Sequence, residues 1–416
     1  MAREEHITFG EAARRAARSF GIMVKPAGSA CNLDCAYCYY LGKADLYGGR
    51  QPRMSLELLE ECTRQYIESS EADTLAFAWH GGEPLLAGRE WFVGALELQR
   101  RYADGRRIVN TLQTNGMLLD DKWCRLLRDN GFLVGISIDG PRDIHDAFRA
   151  DRHGRGTFDR VMEAIGLMQR HGVEYNTLTT VNARSAGRGG EVYDFLRGIS
   201  RYMQFLPVAE YVVPAAGRPR IVPPDTEGAV PAPWSIGARD YGTFMCDVFD
   251  RWVAADVGER FVQLFDATLA GYMNVPNGLC AMCETCGGTM VVEHNGDVYS
   301  CDHFVYPQYR LGNIGERSLR DMYGCEEHFR FQLAKRNSLP RECIRCKHLA
   351  LCRGECPKHR FAASKSGDRN MNALCDGYKL FFSHAEPYME RMRHLLTKKM
   401  PPAAIMPWAR RQTKGR

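Results

Sequence analysis

The sequence has no apolar run approaching the roughly 20 residues that a helix needs to cross a bilayer, so a place in the membrane is not expected. A secretory leader is not expected either: the first residues carry Glu4, Glu5 and Glu11 among arginines where a leader would be apolar, and the same acids argue against a transit peptide. Like charges do not gather into a block before the tail, Arg410 to Arg416, and a net charge of +5 over 416 residues is modest. A nucleic-acid partner is therefore not expected, and the basic tail reads as a solvated end. Together these absences point to a cytoplasmic protein, in a compartment where thiols stay reduced and open to metals.

What the chain does hold is cysteine, sixteen in all, and in clusters. The first, Cys31-x3-Cys35-x2-Cys38, lies in the stretch KPAGSACNLDCAYCYYL from Lys25 to Leu41 and offers three thiolates from one short loop. Three ligands on a metal centre leave one coordination position for a substrate. A closed zinc site built here would need a fourth Cys or His, and none lies close by in sequence. The second group is Cys343-x2-Cys346-x5-Cys352-x3-Cys356, with Cys375 further on; upstream stand Cys280, Cys286 and Cys301. Eight thiolates suit two clusters of four ligands, although on spacing alone zinc knots fit as well. The five others, Cys62, Cys124, Cys246, Cys283 and Cys325, are expected to pack as small hydrophobes. Cys283 sits between two candidate ligands and could replace one.

With 45% hydrophobic and 25% charged residues the chain has an ordinary globular composition, and its length suits two or three domains or one barrel with an appended domain. Residues 1 to 20, rich in Ala and Arg, suggest a short helix. Apolar runs then predict strands over 21–25, 75–79, 108–113, 133–138, 175–181 and 203–208, and between them amphipathic patterns predict helices near 55–69, 89–102, 120–130, 157–171 and 189–200. Thr157 is the expected N-cap of the fourth. A Pro- and Gly-rich stretch, 213–233, reads as a linker or surface loop, and a helix is expected over 241–255. From residue 280 the alternation stops, as in a second domain stapled by metal more than by a large core. A helix is expected over 376–398, and a loose end after it.

Strands alternating with helices imply a parallel sheet, α/β in class, which binds ligands outside the carboxyl ends of its strands. The motifs fall at those ends: the cysteine loop after the first strand, His80-Gly81-Gly82-Glu83-Pro84 after the second, Thr114-Asn115-Gly116 after the third and Asp139-Gly140-Pro141 after the fourth. Gly81 and Gly82 are expected to leave backbone amides uncovered for a small charged ligand, with Glu83 accepting from an ammonium group. Ser137 and Asp139 could bind ribose hydroxyls, and Arg149 or Arg152 a carboxylate.

Taken together, VKPAGSACNLDCAYCYYL, HGGEPLLAG, QTNG, SIDGP, CDHFVYPQYRLGNI and the final cysteine run resemble the SPASM-domain radical S-adenosylmethionine (SAM) proteins, and most closely the anaerobic sulfatase-maturating enzymes. The likeness covers residues 21–384. It implies a partial (β/α)6 TIM-like barrel of radical SAM type over 21–235, after an N-terminal extension over 1–20. A linker helix region, 236–279, would then lead to a cysteine-rich SPASM domain over 280–384 and a tail over 385–416.

The resemblance also implies three 4Fe-4S clusters with SAM as cosubstrate. Cys31, Cys35 and Cys38 would hold the SAM-binding cluster. Cys280, Cys286, Cys301 and Cys356 would hold auxiliary cluster I, and Cys343, Cys346, Cys352 and Cys375 auxiliary cluster II; the crossing of Cys356 to the first set comes from the resemblance. The cofactor-binding residues so implied are Tyr37, Tyr40, Gly81, Gly82, Glu83, Ser137, Asp139, Arg149 and Arg152, with His80 and Gln113 set against the substrate.

Asp302 would be the general base while the deoxyadenosyl radical takes a hydrogen from the β-carbon of a cysteine or serine in a sulfatase polypeptide. The product would be Cα-formylglycine, and the second electron would leave through the auxiliary clusters. A neighbouring anionic cluster is expected to raise the pKa of Asp302. The electron donor would be a flavodoxin or ferredoxin. Two rivals are a SPASM enzyme that crosslinks a ribosomal peptide, disfavoured by the short segment ahead of the first strand, and a non-catalytic electron carrier, which would not cleave SAM.

Overall fold

The computed structural model describes residues 19–49, 53–215, 219–222 and 224–413. The helix expected over 1–20 lies, but for its last two positions, outside the described residues.

Six parallel strands form where the apolar runs predict them: β1 (Gly21–Val24), β2 (Thr74–Trp79), β3 (Arg107–Thr114), β4 (Leu133–Ser137), β5 (Tyr175–Val181) and β6 (Tyr202–Pro207). Each pairs with the next in register, Val24 opposite Trp79 and Trp79 opposite Leu112, so the strand ends align along one rim. The helices Leu56–Ser69, Arg89–Tyr102, Asp121–Asp129, Phe158–His171 and Gly189–Arg197 follow β1 to β5. This is a partial (β/α)6 barrel. Its core interleaves Val24, Phe77, Leu112, Val134 and Val181 from the strands with Leu59, Phe92, Leu127 and Ile165 from the helices.

Local chemistry sets the helix starts. Ser55 accepts from the Leu58 amide at 3.2 Å, and Asp120 from the Trp123 amide at 2.7 Å. Thr157 holds the expected N-cap position of the fourth helix, but its hydroxyl does not cap it: the hydroxyl donates to the Arg149 carbonyl, and Asp146 accepts from the amides of Thr157 (2.8 Å) and Phe158 (2.9 Å) instead. A carboxylate eleven residues away in sequence leaves no mark at the helix start itself.

Three expectations change. The stretch read as a loop contains a small antiparallel sheet of β7 (Tyr211–Val213), β8 (Arg220–Val222) and β9 (Val230–Pro231), with Val212 and Val222 buried. A strand pair β10 (Phe261–Val262) to β6 extends the main sheet at one edge. At the other, β11 (Thr289–Val292) pairs in parallel with β1, and β12 (Asp297–Tyr299) and β13 (Arg310–Asn313) continue antiparallel. The cysteine-rich segment is thus hydrogen-bonded to the barrel and shares its core through Met290, Val292, Val298 and Met322.

The region read as a linker carries the helix Ala238–Ala255, which crosses the helix Cys375–Thr397 at two glycines. A Cβ on Gly377 would stand 2.0 Å from the Ala238 carbonyl oxygen, which is why the crossing needs glycine. The expected loose end instead forms a turn, Pro402–Ile405, and the helix Met406–Thr413, with Ile405 and Ala409 fully buried and Trp408 against Tyr388.

Candidate active site and cluster sites

The loop after β1 brings Cys31, Cys35 and Cys38 together. Burial pushes the Cys31 thiol up to about 11 and the Cys35 thiol up to about 12, with the other thiols of the loop adding to each. Donors already point at the first sulfur: the Leu33 amide at 3.4 Å and Asn115 Nδ2 at 3.6 Å. Asn115 comes from the QTNG motif, in which only Gln113 had an assigned role.

The second loop packs closely onto the first through backbone hydrogen bonds. Gly82 N donates to the Gly28 carbonyl (2.9 Å) and Glu83 N to the Ala30 carbonyl (2.8 Å), while Gly81 N donates to His80 Nδ1 (2.7 Å). A Cβ on Gly82 would lie 2.1 Å from Ala30 O, and one on Gly81, at φ +131°, 2.6 Å from Gly28 O. The expectation that these glycines leave amides uncovered is therefore corrected: they allow two loops to touch.

Glu83 is held from within. Its carboxylate is fully buried and accepts from the Leu85 amide, the Asn115 amide and the one proton of the Thr114 hydroxyl at 2.8–3.0 Å, three donors for about four lone pairs. Burial pushes it up to about 7 against these donors.

Asp139, fully buried, accepts from Tyr37 OH at 2.5 Å and the Thr180 amide at 3.0 Å and lies 3.8 Å from Arg149 Nη1, which turns its carboxylate into the protein. Ser137 accepts from Gln113 Nε2 at 3.1 Å, which pairs a residue assigned to ribose with one assigned to substrate. Arg152 is exposed and donates to the Cys31 carbonyl. Tyr40 is buried, donates to Glu293 and offers its ring to the Lys25 ammonium 4.3 Å away, so it supports the loop instead of lining the cofactor. Arg149 donates from Nη1 to Tyr37 OH at 2.9 Å.

Two buried donors in this region lack partners among the described residues: Arg149 Nε and Trp234 Nε1. Trp234 packs with Cys31, Leu33, Cys35, Tyr37 and Val208 in an apolar cluster of its own. Unpaired buried donors beside a loop of thiols fit a carboxylate-bearing cosubstrate docked on a cluster.

Asp302 lies at the same rim, beside Cys301. Lys25, a lysine with no exposed side-chain surface, ion-pairs with it from the end of β1, and Tyr39, next to Cys38, donates to its other oxygen. Lys25 Nζ also lies 3.0 Å from His80 Nδ1. Burial pushes the Asp302 carboxyl up, but the charge of Lys25, first among the causes that lower it, holds the carboxylate well below its usual range. The raised pKa expected from a neighbouring cluster is thus opposed by the buried Lys25 ammonium. Burial and Lys25 lower His80 to about 4, so it stands neutral with Nδ1 as acceptor. Lys25 and Tyr39 went unassigned at the level of sequence; a lysine closing an otherwise apolar strand was the available signal.

The remaining cysteines fall into two groups. Burial raises Cys301 to about 12 and Cys356 well above its ordinary value, and among the further causes are Cys286 and Cys280 for the first thiol and Cys301 and Cys280 for the second. Cys343 feels Cys346, Cys352 feels Cys375 and Cys343, and Cys375 feels Cys343 and Cys346. Cys356 therefore stands with the upstream thiols, although only three residues separate it from Cys352. Cys283 lies near Cys280 and Cys286, its sulfur 3.5 Å from the Leu279 carbonyl. Cys62, Cys124, Cys246 and Cys325 are buried in the main core.

The Radical SAM superfamily profile matches residues 26–184, and that of the SPASM iron-sulfur cluster-binding domain matches residues 280–347. A serine-type anaerobic sulfatase-maturating enzyme of Bacteroides thetaiotaomicron is 44% identical over 394 residues, 94% of this chain and 95% of that protein. The chain belongs to the anaerobic sulfatase-maturating enzymes. A cysteine-type member from Clostridium perfringens is 33% identical over 88% of this chain and 96% of its own length. A solved structure described as native anSMEcpe with bound AdoMet and Cp18Cys peptide superposes with a TM-score of 0.79 at 31% identity, covering 90% of this chain and 99% of the other. Membership makes the protein a radical SAM oxidoreductase that uses SAM and 4Fe-4S clusters, auxiliary ones included. Among the described residues no helix is long and apolar enough to cross a membrane.

Proposed function

We propose that the chain oxidises the β-carbon of a serine or cysteine in a sulfatase polypeptide to Cα-formylglycine, with Asp302 receiving the side-chain proton. The observation that carries this reading is the Tyr39 to Asp302 hydrogen bond, because it ties the residue after Cys38 to the residue after Cys301 and so puts one carboxylate between two thiol sets.

Cys31, Cys35 and Cys38 would hold the SAM-binding cluster, Cys280, Cys286, Cys301 and Cys356 one auxiliary cluster, and Cys343, Cys346, Cys352 and Cys375 the other. When bound, the first cluster would supply the electron that releases a deoxyadenosyl radical from SAM to take a hydrogen atom from the substrate carbon, and the other two an acceptor for the electron left behind. Arg149 Nε and Trp234 Nε1 offer the donors for the cosubstrate's carboxylate and neighbouring acceptors. Leu33, Tyr37, Val208 and Trp234 keep water from the reacting carbon. His80, neutral, and Gln113 face the peptide.

Asp302 needs little basicity, since oxidation of the carbon radical leaves the hydroxyl or thiol proton strongly acidic. An ionised carboxylate held by Lys25 and Tyr39 meets that need and stays in place while it does so. Electrons enter from a one-electron protein carrier of the flavodoxin or ferredoxin kind.

The test is an anaerobic incubation of the reconstituted protein with SAM, a reductant and matched sulfatase-derived peptides bearing serine or cysteine. An aldehyde in place of the side chain supports the reading; a crosslinked peptide, or deoxyadenosine with untouched peptide, overturns it. Asp302→Asn should still cleave SAM but form aldehyde about 100-fold or more slowly, the usual scale for loss of a positioned base.

A further inference from the structure

The chain takes an uncommon path between Cys352 and Cys356. Arg353, Gly354 and Glu355 have φ of 49°, 71° and 54°, three left-handed residues in a row, two of them with side chains that disfavour that region. The turn falls where the backbone passes from one thiol group to the other.

All three of its carbonyls are gathered by one side chain. Arg360 donates from Nε to Gly354 O at 2.8 Å and from Nη2 to Arg353 O at 2.8 Å and Glu355 O at 3.1 Å, while Nη1 donates to Lys335 O. Gly354 makes room for it, since a Cβ there would lie 2.6 Å from Nη2. Lys335, on the helix Glu326–Asn337, in turn donates from Nζ to the carbonyls of Cys280 and Ala281 at 2.8 Å each. One chain of donors thus runs from the crossover turn to the first cysteine of the upstream group.

Arg360 is 6% exposed, and all of its side-chain hydrogen bonds among the described residues go to backbone carbonyls, none to a carboxylate. Burial pushes it below its ordinary value, and the charges that oppose this are the thiols of Cys286, Cys343 and Cys352 and the Glu355 carboxylate. Its charge is therefore faced by sulfur from both groups. A buried cation without a carboxylate partner is costly unless some other anion compensates it.

We propose that Arg360 is a positioning residue shared by the two auxiliary sites: it locks the left-handed crossover that sends Cys352 and Cys356 to different clusters, and it is the buried cation that both anionic clusters face. This rests on the ligand sets proposed above. Its removal disorders both sites together and leaves the SAM-binding loop intact. Any auxiliary cluster that survives without it has a lower potential, because a nearby positive charge favours the reduced form.

The experiment compares wild type, Arg360→Gln and Arg360→Lys after anaerobic reconstitution, reading iron per chain, SAM cleavage and midpoint potentials by redox titration. In Arg360→Gln iron should fall from about twelve toward about four per chain, three cubanes toward one, with SAM cleavage retained. Arg360→Lys, which keeps the charge without the fork of donors, should recover part of the iron, at potentials above those of any cluster remaining in the Gln variant. Full iron at unshifted potentials in Arg360→Gln overturns the proposal. Loss of one auxiliary cluster alone, or of the SAM-binding cluster with the rest, overturns it too. Wild type holding only about four irons would instead refute the ligand sets themselves, whatever the variants do.

Discussion

Gly82 shows how little room the N-terminal site leaves for change. The loop after β2 docks on the cysteine loop through two backbone hydrogen bonds, and a single methyl group at Gly82 would meet the Ala30 carbonyl at 2.1 Å. Backbone on backbone cannot give way as a flexible side chain does. Gly82→Ala should therefore displace the cysteine loop and empty its site: iron falls from about twelve to about eight per chain, SAM cleavage is lost, and the auxiliary clusters remain. Iron and sulfide analysis together with deoxyadenosine formation check this.

The same loop marks how far sequence reading reached at this scale. Its cysteines were legible because metal ligation dictates spacing. Gly81, Gly82 and Glu83 were legible in place and not in purpose, since a motif gives no sign of whether its donors and acceptors turn outward to a ligand or inward to Gly28, Ala30, Thr114 and Asn115. Lys25 was passed over for the same reason: its partner Asp302 lies 277 residues away.

At the scale of elements, the six barrel strands and the helices between them follow from apolar periodicity, because alternate burial in a covered parallel sheet is a local pattern. What escaped were features made by distant contacts, such as the Asp146 cap and the sheet of β7 to β9. One such contact has a pH consequence. His145, fully buried after β4, accepts from the Asp139 amide at Nδ1 (3.3 Å) and lies 3.0 Å from the Thr157 hydroxyl at Nε2. Burial, then Arg149, hold its pKa well below 6.5. His328, also fully buried, donates from Nε2 to the Gly287 carbonyl (3.0 Å), and burial lowers it to about 4. Both are neutral in the folded state and take a proton in the unfolded chain below about 6.5. Their contribution is thus complete above that pH and is lost as pH falls toward 4, at about 1.4 kcal/mol per histidine per pH unit once well below 6.5. Glu83, raised to about 7, works the other way over the same range, so the histidine effect is read by difference: the melting temperature of a His328→Gln variant should fall less steeply below pH 6 than that of wild type, and equal slopes would refute this account.

For the whole molecule, the sheet order makes the cysteine-rich segment part of the barrel. β1 lies between β2 and β11, with Ile22 opposite Phe77 on one side and Met290 on the other, and the strand leads straight into Cys31, Cys35 and Cys38. Without β11 to β13, β1 becomes an edge whose unpaired backbone invites association with other chains. Met290, Val292, Val298, Leu319 and Met322 would also leave the core, uncovering the helix Leu56–Ser69, whose Gln65 accepts from the Leu319 amide and donates to the Ile314 carbonyl. A chain ending at residue 279 keeps every ligand of the SAM-binding cluster in its sequence, so on ligation alone it should still reconstitute and cleave SAM. The sheet argues otherwise: the truncated chain should aggregate on expression, or purify without stable iron in the N-terminal loop. Placing the cut after residue 313 restores β11 to β13 while leaving bare, as in the shorter chain, the faces that Leu319, Met322 and the helix Cys375–Thr397 cover, so it should aggregate less and hold more iron in the N-terminal loop than the shorter chain. If the shorter chain is the equal of the longer in solubility and iron content, strand pairing is not what holds the cysteine loop, and its geometry must be fixed by β2 and the second loop alone.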